Sequence, residues 1–216
     1  GDELEVRVLR FDRERNRVLF PLWVDGGNIA GVDRARPFGN GATEHMLLSK
    51  QPLLLNGEVG QQMEQLGIAP MARPCLSFIG VPILADGEAI GVLALLDYTQ
   101  PGRFGRHELG ILSIVATQAA AAIRNARMFE ATRQAYDELA AAQVRVKADW
   151  RDDHTPGFKF NEWELKGVPL RLEIGPRDVA AEQVVIVRRD TRTKQAVTLD
   201  ALAATVTDLL EKMQAA

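Results

Sequence analysis

The stretch Leu76–Tyr98, LSFIGVPILADGEAIGVLALLDY, decides the fold of the first part of the chain. Two apolar runs flank Asp86-Gly87-Glu88, and an Asp-Gly pair between such runs is the strongest hairpin signal in the sequence. Upstream, ELEVRVLRFDRERNRVLFPLWVDGG reads as a second hairpin. Val6, Val8 and Phe11 mark one strand, RVLFPLWV is the other, and the charged DRERN is the turn. Between the hairpins, TEHMLLSK reads as a short helix capped by Thr43, with Glu44 favourable in its first turn. QPLLLN reads as a buried strand, and VGQQMEQLGI as a second short helix with Met63 and Leu66 on its apolar side. After GRFGRHEL comes a long helix, ELGILSIVATQAAAAIRNARMFEATRQAYDELAAAQ, without Pro and with only Gly110 near its start. Ile111, Ile114, Val115, Ala119 and Ala122 recur at helical spacing. Its polar second half, Arg124–Gln143, is expected to project.

With 216 residues the chain can form one large or two small domains. It is 46% apolar and 25% charged, with a net charge of −3, an ordinary globular composition. Val144–Ala216 carries 12 Lys+Arg and 12 Asp+Glu of the chain's 26 and 29, leaving 14 and 17 for Gly1–Gln143. Neither part is a basic module, so generic binding of nucleic acid through phosphate neutralisation is excluded. No apolar run approaches the roughly 20 residues that span a bilayer, and GDELEV at the start has no signal-peptide pattern. The single cysteine, Cys75, excludes an internal disulfide, and no Cys/His cluster suggests zinc. The expected location is cytoplasmic, without a membrane.

FGNGATEHMLLSKQPLLLN, SFIGVPIL, GEAIGVLALLDY and HELGILSIVATQAAAAIRNARMFE together resemble a GAF domain, a small-molecule sensor fold of bacterial signalling proteins, over roughly Glu3–Gln143. The family begins with a helix before its first strand, and that helix is missing here. Cys75 precedes LSFIGVP and is not followed by His, so the pair that attaches a bilin in phytochrome-type members is lacking; it reads as a small buried apolar residue. The signature of cyclic-nucleotide-binding members is not apparent. By the resemblance, Phe38, Asn40, Thr43, Phe78 and Asp97 lie near a ligand pocket, and His45 either faces it or sits on a helix surface. No cofactor is required by the sequence. The family's use of terminal helices in assembly implies a homodimer along helix 107–143, with Met128, Phe129, Ala135, Tyr136 and Leu139 at the seam.

In the last third, VRVKADWRDD reads as a strand ending in acids. PGFKFNEWELKG reads as a helix closed by Gly167. VPLRLEIG alternates Leu170, Leu172 and Ile174 against Arg171 and Glu173, as a strand does. EQVVIVRRD and KQAVTL form a strand pair around TRT, and DALAATVTDLLEKMQ is an amphipathic helix with Asp200 at its N-cap. Strands alternating with helices make this an α/β pattern. VRVKADWRDD, PGFKFNEWELKGVPLRLEIGPRD and VVIVRRDT resemble the anticodon-binding domain of prolyl-tRNA synthetase, of the archaeal and eukaryotic-like type, from Val144 to about Ala204.

The resemblance implies that Glu164 and Arg171 help read anticodon bases, a carboxylate accepting from base amino groups and a guanidinium donating to guanine. Lys166 and Arg177 would hold phosphate. The alternative for each is a solvated charge or an internal salt bridge. The family's catalytic domain is not matched, and its first strand, central between those corresponding to Val144–Ala148 and Pro169–Ile174, is not matched either. Those two strands are therefore expected to pair with each other or to accept a strand from a second chain.

The expected fold class is α/β (α+β): a GAF-type antiparallel sheet with flanking helices over 1–143, a long connecting helix, and a truncated mixed-sheet anticodon-binding module over 144–216. The simplest account is a join near Gln143 with one helix serving both modules. That join is either a chimera, engineered or recombinant, or a natural regulatory protein that recruited the fragment. No nucleophile with a base and an orienter is present. Asp149, Asp152, Asp153 and His154 read as a solvated turn. The functional expectation is a non-catalytic protein with weak or no binding of proline tRNA. The alternative is a proline-tRNA-binding protein or a fragment of a proline–tRNA ligase.

Overall fold

β1 (Leu4–Asp12) and β2 (Arg17–Asp25) form the upstream hairpin, closed at Asp12↔Arg17. β6 (Ser77–Ala85) and β7 (Glu88–Asp97) form the second. Between them Asp86 and Gly87 have φ of 52° and 81°, the two positive values a type I′ turn demands. The computed structural model describes residues 4–31 and 34–215, so the expected domain start at Glu3 lies outside the described residues. The chain divides into two units, Gly1–Ala122 and Ile123–Ala216, and the division falls inside the long helix rather than at Gln143.

In the first unit, β1 pairs with β7, and β5 (Leu53–Asn56) pairs with β6. The sheet runs β3-β2-β1-β7-β6-β5 with every pair antiparallel, where β3 is Asn28–Gly31 and β4 (Arg34–Pro37) also pairs with β2. These two four-residue strands were not expected, because segments so short carry too little alternation to read. On one face of the sheet, α1 (Ala42–Ser49) and α2 (Val59–Gln65) bury Met46, Val59 and Met63 with Phe78 and Leu96. On the other, α3 (Arg106–Ala141) buries Leu112, Ala116 and Ala120 with Ile79, Val81 and Leu93. Alternate residues of β6 and β7 feed the two cores, as the strand period of two requires.

Several local expectations change. Thr43 lies within α1 and does not cap it; Gly41 is the N-cap, and its N–H donates to Glu44 Oε2 at 3.1 Å. Leu66 is exposed, and Val59 joins Met63 on the buried side of α2. The buried stripe of α3 is one position away from the expected one. Ile111, Ile114 and Val115 face outward, while Leu112, Ala116 and Ala120 face the sheet. An Ala-rich helix is apolar on more than one face, so periodicity alone leaves the buried side open. The same richness makes α3 the one helix among the described residues long and apolar enough, by length and composition, to cross a membrane, where the sequence suggested none.

In the second unit, the far end of α3 does not simply project. Ala135 and Leu139 are buried with Val184, Ile186, Leu202 and Val206. Two residues expected at a dimer seam are therefore spent in the unit's own core, whereas Phe129 and Tyr136 remain exposed. The sheet is β10-β9-β8, antiparallel throughout, from β8 (Leu170–Glu173), β9 (Gln183–Arg188) and β10 (Lys194–Thr198). The expected strand Val144–Ala148 belongs to no ladder, and the expected mixed sheet is a three-stranded antiparallel one. α4 is Pro156–Leu165 and α6 is Leu199–Gln214. Thr198 is the N-cap residue of α6, and Asp200 sits in its first turn. A short helix not read from the sequence, α5 (Pro176–Ala180), is closed by Gly175 N–H donating to Asp178 at 2.9 Å.

Close approach fixes one glycine. A Cβ on Gly91 of β7 would lie 2.3 Å from the carbonyl oxygen of Leu9, where β1 bulges between Val8 and Arg10. Gly91→Ala is expected to destabilise the first unit by about 1–3 kcal/mol, because backbone must move. Gly60→Ala, where no atom lies within 4 Å in α2, should stabilise it by about 0.5–1 kcal/mol. Urea denaturation of the two variants checks both signs.

Candidate nucleic-acid interface

α4 begins where Thr155 accepts from the N–H of Phe158 and Pro156 presets the first turn. It ends at Gly167, whose φ of 82° lets Val168 N–H return to the carbonyl of Trp163 at 3.1 Å. This tight reversal delivers the chain through Pro169 into β8 and brings Glu164 to Arg171. The two side chains pair at 2.7 Å. Arg171 also donates to Glu173 at 3.0 Å and lies over the ring of Phe160 at 4.1 Å. Glu173 in turn accepts from Lys194 at 3.0 Å. The cleft between them, lined by Phe160, Glu164, Pro169 and Arg171, holds about 10 Å³, room for little more than one water.

A second network ties α4 to the extended segment before it. Trp163 Nε1 donates to Asp149 at 2.8 Å, and Arg151 donates to Asp149 at 2.8 and 2.6 Å in a fork. Arg151 also reaches Glu162 at 2.6 Å, and Glu162 accepts from Lys166 at 2.5 Å. Lys159 donates to the carbonyl of Arg151. The Arg151 guanidinium, and then the Trp163 indole N–H, hold the Asp149 carboxyl well below the usual carboxylate range. Lys166 and Arg151 lower Glu162 likewise. Asp149 is thus a member of a structural network, while Asp152 and Asp153 are exposed in the turn as expected.

Glu164 and Arg171 are therefore brought together. Lys166 stands 4.6 Å from the centre of the Trp163 ring, and Arg177 is exposed on α5. Sequence reasoning missed the aromatic surface nearby. Trp150 and Phe158 are each 53% exposed, Trp150 against Phe129 with ring centres 5.0 Å apart and Phe158 against His154 at 4.5 Å. Exposed rings beside cations can stack unpaired bases. Only their exposure marks them, which composition does not give.

In the first unit the expected pocket residues are scattered in role. Phe78 is 3% exposed in the core, and Phe38 packs at its margin against Phe11, with ring centres 4.8 Å apart. Asn40 ties loops by donating to the carbonyl of Gly67 at 2.7 Å. Thr43 and His45 are half-buried on α1. Asp97 is fully buried and closes a turn, accepting from the N–H of Thr99 and Gln100 at 2.8 and 2.7 Å. Cys75 is buried, and that burial pushes its thiol up to about 11, which leaves it unreactive. Two buried carboxylates were not foreseen. Glu5 accepts from Tyr98 at 2.6 Å and from Arg7. Glu44 accepts from Arg36 and from the N–H groups of Gly39 and Gly41.

Two family profiles match the sequence. That of the GAF domain covers residues 4–124. That of the anticodon binding domain covers residues 112–209, so both include the start of α3. A proline–tRNA ligase of Natranaerobius thermophilus is 40% identical over 136 residues, 63% of this chain and 26% of that protein. One of Symbiobacterium thermophilum is 60% identical over 79 residues, 37% of this chain and 16% of that protein. The chain spans about a quarter or less of these curated relatives. The GAF domain of an Acinetobacter phosphoenolpyruvate-protein phosphotransferase superposes with a TM-score of 0.46 at 17% identity, covering 58% of this chain and 73% of that one.

The Asp149 network gives a pH signature. A carboxyl with a depressed folded-state pKa contributes stability above its unfolded value, about 3.9, and loses it as pH falls through the lower folded value. Asp149→Asn should lower the stability of the second unit at pH 7 and flatten its acid dependence, so that the gap between variant and parent begins to narrow as pH falls below about 4. Urea titrations followed by tryptophan fluorescence between pH 2 and 7 test this; curves that stay parallel to low pH would contradict it.

Proposed function

Because the chain belongs to the GAF domain family and also carries a proline–tRNA ligase type of anticodon-binding domain, we propose that it is a non-catalytic, cytoplasmic two-module protein. The first module serves ligand sensing or assembly, and the second presents a weakened RNA-reading surface. The observation that carries the reading is the Glu164–Arg171 pair at the turn from α4 into β8. Glu164 can accept from a base amino group, and Arg171 can donate in a fork to guanine. Both are already satisfied by each other and by Glu173, so a base must displace an existing ion pair to be read. Arg177, and Lys166 on release from Glu162, would be the cations that hold phosphate. With 12 basic and 12 acidic residues over Val144–Ala216, little general phosphate attraction assists them.

Two base contacts worth roughly 1–3 kcal/mol each give affinity near the millimolar range. Proline tRNA is therefore expected to shift weakly or not at all in gels at physiological salt, no better than an unrelated tRNA, and the chain is expected not to aminoacylate it. A submicromolar dissociation constant, selective for proline tRNA and lost in Arg171→Ala, would favour the second reading: a proline-tRNA-binding protein or a fragment of a proline–tRNA ligase. The identity of the relatives, and the small share of them the chain spans, speak for that alternative.

For the first module, Phe38, Asn40, Thr43, Phe78 and Asp97 mark the region where a small ligand would lie, and native mass spectrometry of the purified chain reads any ligand retained. The overlap of both family matches on α3 supports one helix serving two modules. Its outward apolar residues Ile111, Ile114 and Val115 suit a homodimer seam better than Leu139 does. Sedimentation is expected to give a dimer at micromolar concentration that Ile114→Asp dissociates. Leu139→Asp should instead unfold the second unit, by burying a charge in its core. A parent chain that sediments as a monomer removes the assembly role.

A further inference from the structure

The cleft at the turn from α4 into β8 has a third side. Arg188, the last residue of β9, and Arg189 after it line the cleft together with Glu164 and Arg171. The N–H of Arg189 donates to the carbonyl of Pro169 at 3.0 Å, which fixes its backbone beside the start of β8. Gly167 leaves room for its side chain, since a Cβ there would lie 3.3 Å from Arg189 Nη1. The guanidinium of Arg189 therefore stands against the same reversal that brings Glu164 to Arg171.

The cations around this cleft differ in what already holds them. Arg171 is paired with Glu164 and Glu173, Lys194 with Glu173, and Arg188 with Asp190 at 2.6 Å. Lys166 is held by Glu162 and lies over Trp163. Arg189 is exposed, and among the described residues its guanidinium has no hydrogen-bond or ion-pair partner. Arg171, Arg188 and Lys194 thus stand against Glu164, Glu173 and Asp190, and Arg189 is the positive charge left over. Arg177, on α5, does not line the cleft.

We propose that Arg189 holds the backbone phosphate of the nucleotide whose base Glu164 and Arg171 read. The inference rests on the base-reading role given to that pair. The two free oxygens of a phosphodiester match the donor fork of a guanidinium, which a lysine does not reproduce. Such an anion needs no cavity. The interior of about 10 Å³ admits a water, and the phosphate sits at the mouth, where Arg189 is exposed. The charges of Glu164 and Glu173 are matched by Arg171 and Lys194, so the surplus at the mouth is positive. A phosphate contact carries no sequence information; it fixes the register in which the base edge meets the reading pair. Arg189 is thus a positioning residue, and Gly167 makes room for it.

The probes are guanylyl-guanosine, which has one phosphodiester, its methylphosphonate, in which that linkage is uncharged, and cytidylyl-cytidine. Each is titrated into the full chain while NMR follows the Nε–H of Arg189 and the amides of Glu164 and Arg171. The charged guanosine dinucleotide is expected to shift the Arg189 signal saturably. It should bind about three- to tenfold tighter than its methylphosphonate, an advantage that shrinks as salt is added. Arg189→Gln should remove that advantage, and Arg189→Lys, which keeps the charge but not the fork, should restore part of it. Arg145→Gln removes an exposed cation that does not line the cleft and should leave the advantage intact. Equal binding of charged and neutral ligands, or an advantage that survives Arg189→Gln, would overturn the proposal and leave base reading standing. Equal binding of the cytidine and guanosine dinucleotides, with the advantage of charge still lost in Arg189→Gln, would overturn base reading and leave the phosphate contact. No shift with any of the ligands would overturn both.

Discussion

The hydrogen bonds that Asp149 accepts from Trp163 and Arg151 tie α4 of the second unit to the segment before it. The segment from Val144 to Arg151 has no ladder to position it, so side chains do what a sheet would otherwise do. Val144 and Val146 anchor it from below, and Asp149 and Arg151 anchor it to α4 from above. Through α4 the same network sets where Glu164 meets Arg171. A carboxylate receiving a bidentate guanidinium and an indole N–H is well satisfied, and this compensates locally for backbone groups left without partners.

Buried carboxylates perform a related task in the first unit. Glu44 has 1% exposure, and it gathers the loop before α1 by accepting from two backbone N–H groups and from Arg36. Burial alone would raise its pKa, yet the Arg36 guanidinium and the N–H of Gly39 outweigh it and keep the carboxyl below its ordinary value. Asp97 does the same for the turn leaving β7. Such residues are expensive to bury unless every lone pair is used. Glu44 thus serves the fold, and Asp97, at the end of β7, uses Oδ1 in the turn that follows it.

The sequence was most legible where one local rule has one outcome. Asp86-Gly87 dictated its hairpin, Gly167 ended α4, and the alternation of Leu170 and Leu172 against Arg171 marked β8. Legibility failed where a pattern had two solutions. In α3 both the Ile111–Val115 side and the Leu112–Ala120 side are apolar, and periodicity alone does not decide which of them meets the sheet. VRVKA alternates as a strand should yet joins no ladder, because a strand also requires a neighbour with free backbone groups within reach, and the sequence cannot report that. The family resemblances were carried by motifs rather than periodicity; they singled out Glu164 and Arg171 but not their pairing, which is the internal salt bridge weighed as the alternative. The exposed rings of Trp150 and Phe158 left no mark, since exposure is a property of the packed unit.

In the proposed reading, recognition and folding compete for Glu164 and Arg171. Their pair spans the reversal from α4 to β8 and, with Phe160 under the guanidinium, helps fix the helix on the strand. With Arg171 20% exposed and Glu164 40% exposed, solvent screens the pair and keeps its net contribution modest. A modest internal pair is one a ligand can afford to replace. Had it been fully buried, its rupture would have cost several kcal/mol and closed the surface to any base. Half-exposure therefore lets one pair of side chains brace the turn while leaving the exchange of its contacts for those of the proposed base inexpensive. The affinity for that base is bounded by the difference between the new contacts and the old ones, not by the new contacts alone.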